Sequence, residues 1–212
     1  MDQWYRRNKA CLNKLILPIN KITDEALHYL STYKNGHNEE RRRTPWGKTK
    51  WSPPPPGMYK TNFDCAVFED SGEAGIGVVI RNSFGEVVAS LFEKIPFPSM
   101  VEAVEVLATR RAVRLVQEVG LAECIFEGDS QSIVLTLQRA DMLNSTISHL
   151  VKDTLSFVKL LRSWSFSHTY RQDNVVAHAL SRRARLCDLF EVWMENFPPD
   201  ISNVLLADLP AI

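Results

Sequence analysis

The run Tyr59–Phe68, YKTNFDCAVF, narrows the choice of folds more than any other stretch of this chain. Tyr59, Thr61, Phe63, Cys65 and Val67 fall on one side and Lys60, Asn62, Asp64 and Ala66 on the other, the period of a β-strand. Strands disfavour Asp, and a carboxylate inside a sheet is costly unless it is hydrogen-bonded, protonated or metal-bound. With no arginine beside it in sequence, Asp64 needs either a partner from elsewhere in the fold or an exposed edge position.

The residues beyond Asp64 indicate which fold could supply that partner. GIGVVIR (75–81) and EVVASLFE (86–93) are two further β-branched runs joined by NSFG, so three strands in meander order are expected to be antiparallel. In SMVEAVEVLATRRAVRLVQEVG, Val101, Val104, Ala108, Ala112, Leu115 and Val119 recur at helical spacing, with Ser99 as a start signal and Gly120 as a stop. AECIFEGD then reads as a short buried strand, SQSIVLTLQRA and STISHLVKDTLSFVKLL as helices, WSFSHTYR as a strand and NVVAHALSRRARL as a last helix. The order is βββαβααβα. Strands alternating with helices are joined by crossovers and become parallel, which predicts an α/β fold with a five-stranded mixed sheet flanked by helices.

Upstream, residues 1–50 are locally basic and end in the charge-rich NGHNEERRRTPWGKTK. Such a stretch stays solvated, so 1–50 is expected to be an extension and linker, partly helical or disordered, 51–190 the domain and 191–212 a tail. The prolines of WSPPPPG stiffen the entry to the first strand; a polyproline II ligand for an SH3-like partner is the alternative. The formal net charge is +0, so any nucleic-acid site must be a local patch. Four cysteines without CxxC spacing argue against structural zinc and a disulfide framework. The N-terminus lacks the apolar run of a signal peptide or membrane helix, and the expectation is an intracellular protein, cytoplasmic or nuclear, off the membrane.

Two more acids stand where they could join Asp64: Glu102 in the first turn of the long helix, and Asp129 just past the carboxyl end of CIFE, where sites form in α/β sheets. Each also has a local reading, Glu102 with Ser99 as a capping box and Asp129 as an N-cap.

Taken in order, NFDCA, GIGVVIRNSFGEVV, VEAVEVLATRRAV, FEGDSQSIV and HTYRQDNVVAHALSRRA resemble the ribonuclease H fold in its plant reverse-transcriptase-like branch, found at the ends of non-LTR retrotransposon polyproteins. The resemblance covers about residues 51–187, and WYRRNK is similar to the segment preceding that domain in retrotransposon-derived chains. It implies metal ligands at Asp64, Glu102 and Asp129, holding two Mg²⁺ (or Mn²⁺) ions that cut the RNA strand of an RNA–DNA hybrid. It further implies nucleic-acid contacts at Asn62, Gly75, Gly77, Arg171 and Asn174, and a monomer.

The family's fourth acid has no counterpart here, because RQDNVVAHALSR places His178 at its position. An imidazole ligates Mg²⁺ poorly, which puts the second ion in doubt. Asp173 is a substitute ligand or an N-cap, and His168 a proton carrier or a packed strand residue. The function expected is a metal-dependent ribonuclease H-type endonuclease. The alternative is a non-catalytic nucleic-acid-binding relative, a domesticated or decaying retrotransposon fragment.

Overall fold

Three strands, β1 (Tyr59–Phe68), β2 (Glu73–Arg81) and β3 (Val87–Pro96), form an antiparallel meander. The computed structural model describes residues 51–139 and 146–209, and the expectation for the N-terminal extension lies outside them. The chain continues through α1 (Val101–Glu118), β4 (Glu123–Gly128), α2 (Gln131–Arg139), α3 (Ser148–Val158), β5 (Ser163–His168) and α4 (Val175–Arg183). β4 pairs with β1 and β5 with β4, both in parallel. This is the expected order and the expected mix of strand directions.

Two features correct the sequence reading. Residues 191–212 are not merely a tail, since Phe190–Met194 forms a sixth strand, β6, antiparallel to β3, and Ser202–Asp208 a short helix, α5. Among the described residues the sheet has six strands in the order β5-β4-β1-β2-β3-β6. Five residues carry too short a period to stand out in sequence, and pairing with β3 is what makes FEVWM a strand. Ser99 also provides no cap: its φ of 64° turns the chain sharply and leaves Met100 at the N-cap, without a side-chain cap bond. Gly120 ends α1 as expected, at φ 74° with its N–H on Gln117 O.

Both sheet faces are covered. Phe63, Val78, Ile80, Leu91, Phe126 and Phe166 are buried beneath α1, α2 and α3, whose inward stripes include Val113, Val116, Val134 and Leu155. On the opposite face Val79 and Phe92 meet Val176 and Leu180 of α4 and Leu205 of α5. Fully burying one such side chain is worth about 1.5–3 kcal/mol.

α4 sits unusually close to β2. A Cβ on Gly75 would come 2.0 Å from the Ser181 carbonyl oxygen, and one on Gly77 would come 2.2 Å from that of Ala177. Gly75 and Gly77 are therefore packing positions rather than the expected nucleic-acid contacts, because both are buried under the helix backbone.

The second face also holds a buried polar network. Arg81, 0 % exposed, donates to Asp208 Oδ2 at 2.7 Å and to Asn62 Oδ1 at 3.0 Å, and its guanidinium lies 3.6 Å from the Trp51 ring centroid. Asn62 donates in turn to Glu127, which pairs with Lys60 at 2.9 Å. Asn62 is thus occupied inside the protein and unavailable to nucleic acid.

Candidate metal centre

β1 and β4 pair in register from Tyr59↔Cys124 to Asn62↔Glu127 and then part. Asp64 lies just past the last pair and Asp129 just past the end of β4, so both reach the crevice where parallel strands separate. α1 crosses the same opening and supplies the third carboxylate. Ligand atoms of Asp64, Glu105 and Asp129 all lie within 4.8 Å of one another.

The acid from α1 is Glu105, not Glu102. Both point to the same flank, three residues apart, but the first turn of α1 stands at the rim, where Glu102 is exposed. One turn on, about 4.5 Å along the axis, Glu105 is level with Cys65 of β1 and hydrogen-bonded to it. The signal was present in VEAVEV as a second acid on the same helical face. The capping-box pattern of Ser99 and Glu102 drew the sequence reading to the earlier one.

Electrostatics marks this cluster as short of positive charge. Burial, then the Asp129 carboxylate, push Asp64 up to about 6, against the hydrogen bond and charge of His178. Burial and the charges of Asp129 and Asp64 push Glu105 up to about 8. Burial likewise raises the Cys65 thiol, with Glu105 beside it, so this cysteine is no thiolate ligand. Three hard oxygen donors repelling one another around a cleft are the donor set of a divalent cation such as Mg²⁺ or Mn²⁺. The residues present therefore fit a metal.

From α4, His178 Nδ1 lies 2.7 Å from Asp64 Oδ2, and Ser181 Oγ donates to the same oxygen at 3.4 Å. Asn174 donates to the Phe63 carbonyl at 2.9 Å and is 1 % exposed, so it ties α4 to β1 and is not free for nucleic acid. Asp173 is buried away from the carboxylates: it raises Asp208 by its charge and is not part of the cluster. Nor does it cap α4, whose N-cap is Asn174. His168 sits at the rim, Nε2 3.2 Å from the Asp129 carbonyl and edge-on to Tyr170. Arg171, one residue further, is exposed.

Without metal, Asp64 and Glu105 bind protons more tightly folded than unfolded, because their pKa values are raised from 3.8 and 4.5. The folded state then holds more protons across the window from about 4 to about 8, and stability falls as pH rises through it. Metal-free protein is expected to melt several degrees lower at pH 8 than at pH 5. A loss of about 2 kcal/mol would lower the midpoint by roughly 4–8 °C. Saturating Mn²⁺ should remove most of that drop. A melting temperature that rises across this window, with or without metal, would contradict the charge reading.

A mixed sheet with a carboxylate cleft where β1 and β4 part, helices on both faces and a meander leading in defines a ribonuclease H-like fold. Solved structures agree. RNase H1 from the halophilic archaeon Halobacterium salinarum is 24 % identical with a TM-score of 0.56, covering 60 % of this chain and 97 % of that one. The N-terminal RNase H domain of a Mycobacterium tuberculosis protein is 17 % identical with a TM-score of 0.55, covering 60 % and 92 %. LC11-RNase H1, solved in complex with an RNA/DNA hybrid, is 23 % identical with a TM-score of 0.52, covering 60 % and 94 %. A family model described as reverse transcriptase-like matches residues 62–184, more than half of the chain, and the chain belongs to that family. No curated protein sequence matches it. Among the described residues no helix is long and apolar enough to cross a membrane.

Proposed function

We propose that the chain is a metal-dependent endonuclease of ribonuclease H type, cutting the RNA strand of RNA–DNA hybrids. The observation that carries this is the convergence of Asp64, Glu105 and Asp129 from three separate elements, within 4.8 Å. These carboxylates would hold the cation, Mg²⁺ or Mn²⁺. A cation held there would supply activation of a water and stabilisation of the leaving oxygen of the phosphodiester. Asp64 is oriented for this by Ser181 and His178, which both engage Oδ2. Exposed Arg171, three residues beyond His168, is suited to a phosphate of the substrate. The 2′-hydroxyls across the shallow groove of the hybrid would distinguish RNA from DNA.

One observation favours the second reading, a nucleic-acid-binding relative that no longer cuts. His178 engages Asp64 directly, where the resemblance expects a fourth acid, and this disfavours a second ion. Purified full-length chain on an end-labelled hybrid separates the two. Cleavage with Mg²⁺ or Mn²⁺ that is lost in Asp64→Asn establishes the nuclease, and His178→Asp should then raise the Mg²⁺-dependent rate. Hybrid binding with no cleavage by either protein, under either metal, establishes the binder instead.

A further inference from the structure

Among the described residues the sheet ends at β6, and the backbone there points outward in a regular way. Lys94 N–H donates to Leu189 O at 2.7 Å and Glu195 N–H to Val88 O at 2.8 Å. Glu93↔Phe190, Leu91↔Val192 and Ala89↔Met194 are therefore the non-hydrogen-bonded pairs of the β3–β6 ladder. It follows that the N–H and C=O groups of Phe190, Val192 and Met194 face away from β3. Among the described residues no strand lies beyond them.

The side chains of the same three residues form an apolar row on the face that carries α1, beside the buried Leu91 and Ala89. They are 57 %, 40 % and 55 % exposed. Natural sheets blunt a free edge with short strands, charged side chains, Pro or a bulge. β6 is short and carries one charge, Glu191, which alternation places on the face opposite the apolar row. It has no Lys or Pro, and its register with β3 is unbroken.

We infer that β6 is the contact between two copies of this chain, paired antiparallel about a twofold axis at Val192. The spacing of the outward groups selects the register. Val192 faces Val192 of the second copy, and Phe190 faces Met194, so every outward N–H meets an outward C=O. A slip of one residue sets outward groups against inward ones, and a slip of two leaves an end unpaired. The same register lays the Phe190 ring beside a Met194 thioether and valine against valine, both favourable contacts. The interface is isologous and closes on itself, joining two sheets into one. It stands apart from the carboxylate cleft and does not depend on the nuclease reading. It departs from the monomer expected from sequence.

Sedimentation equilibrium of the full chain over a wide concentration range tests this, with two variants. Val192→Pro removes the central outward N–H, which the β3 ladder does not use. Val192→Lys keeps that N–H and sets like charges opposite each other across the axis. The parent is expected to dimerise. Each variant should weaken the dimer at least about tenfold, the equivalent of one lost interaction of about 1.4 kcal/mol, with an unchanged circular dichroism spectrum. A parent that stays monomeric throughout, or a dimer that Val192→Lys leaves intact, overturns the proposal.

Discussion

Replacing Glu105 by Gln should cost hybrid cleavage at least about a hundredfold, since removing a ligand exceeds the loss usual for a ligand's supporting partner. Glu102→Gln should leave the rate within about twofold of the parent. The contrast arises from where α1 places the two acids. Glu105 shares the cleft with Asp64 and Asp129, while Glu102 stands exposed at the rim and acts on Glu105 only through its charge. Calorimetric titration with Mn²⁺ supplies a readout independent of turnover, and Glu105→Gln should weaken binding where Glu102→Gln does not. The reverse ranking would return the role to the first-turn acid.

The largest expected effect on stability belongs to Asp208→Ala. Burial drives Arg81 and Asp208 each toward its neutral form. Their mutual charge and hydrogen bond are the main opposing effects, helped by the Glu127 charge on Arg81 and by a Trp51 backbone hydrogen bond to Asp208. Such a pair adds little net stability, but removing one partner leaves a buried charge uncompensated, at about 3–5 kcal/mol. Arg81 is wholly buried, and Asn62 and the Trp51 ring cannot replace a carboxylate. Asp208→Ala should therefore lower the thermal midpoint by about 10 °C or more. The double variant Arg81→Met, Asp208→Leu should recover most of that. A single variant as stable as the parent, or a double variant no better than the single, would show that α5 is not held to the sheet by this pair.

The strands and helices that bury a continuous face were legible in the sequence. The Tyr59–Phe68 alternation, the α1 stripe and the order of elements through α4 carry periods long enough to read. β6 and α5 were not, because five and seven residues carry little pattern and take their structure from β3 and from Arg81. For the site, Asp64 and Asp129 stood out as an acid inside a strand and an acid at a strand end. Glu105 did not, since helical periodicity gives the face of a side chain but not its height above the sheet. Asn62, Asn174, Gly75 and Gly77 illustrate a further limit. A polar or small residue near a site looks the same in sequence whether it meets a ligand or another part of the protein.

The near contact of α4 with β2 bears on how such a site changes over evolutionary time. Gly75 and Gly77 seat the helix main chain against main chain, so its position is set by atoms every residue shares. Whatever side chain occupies position 178 is then delivered to the same place beside Asp64. Codons for His and Asp differ by one base. A lineage could lose or regain an acid there in a single mutational step without rebuilding the scaffold, whereas a side chain acquired at position 77 would displace the helix and undo the site whatever stood at 178.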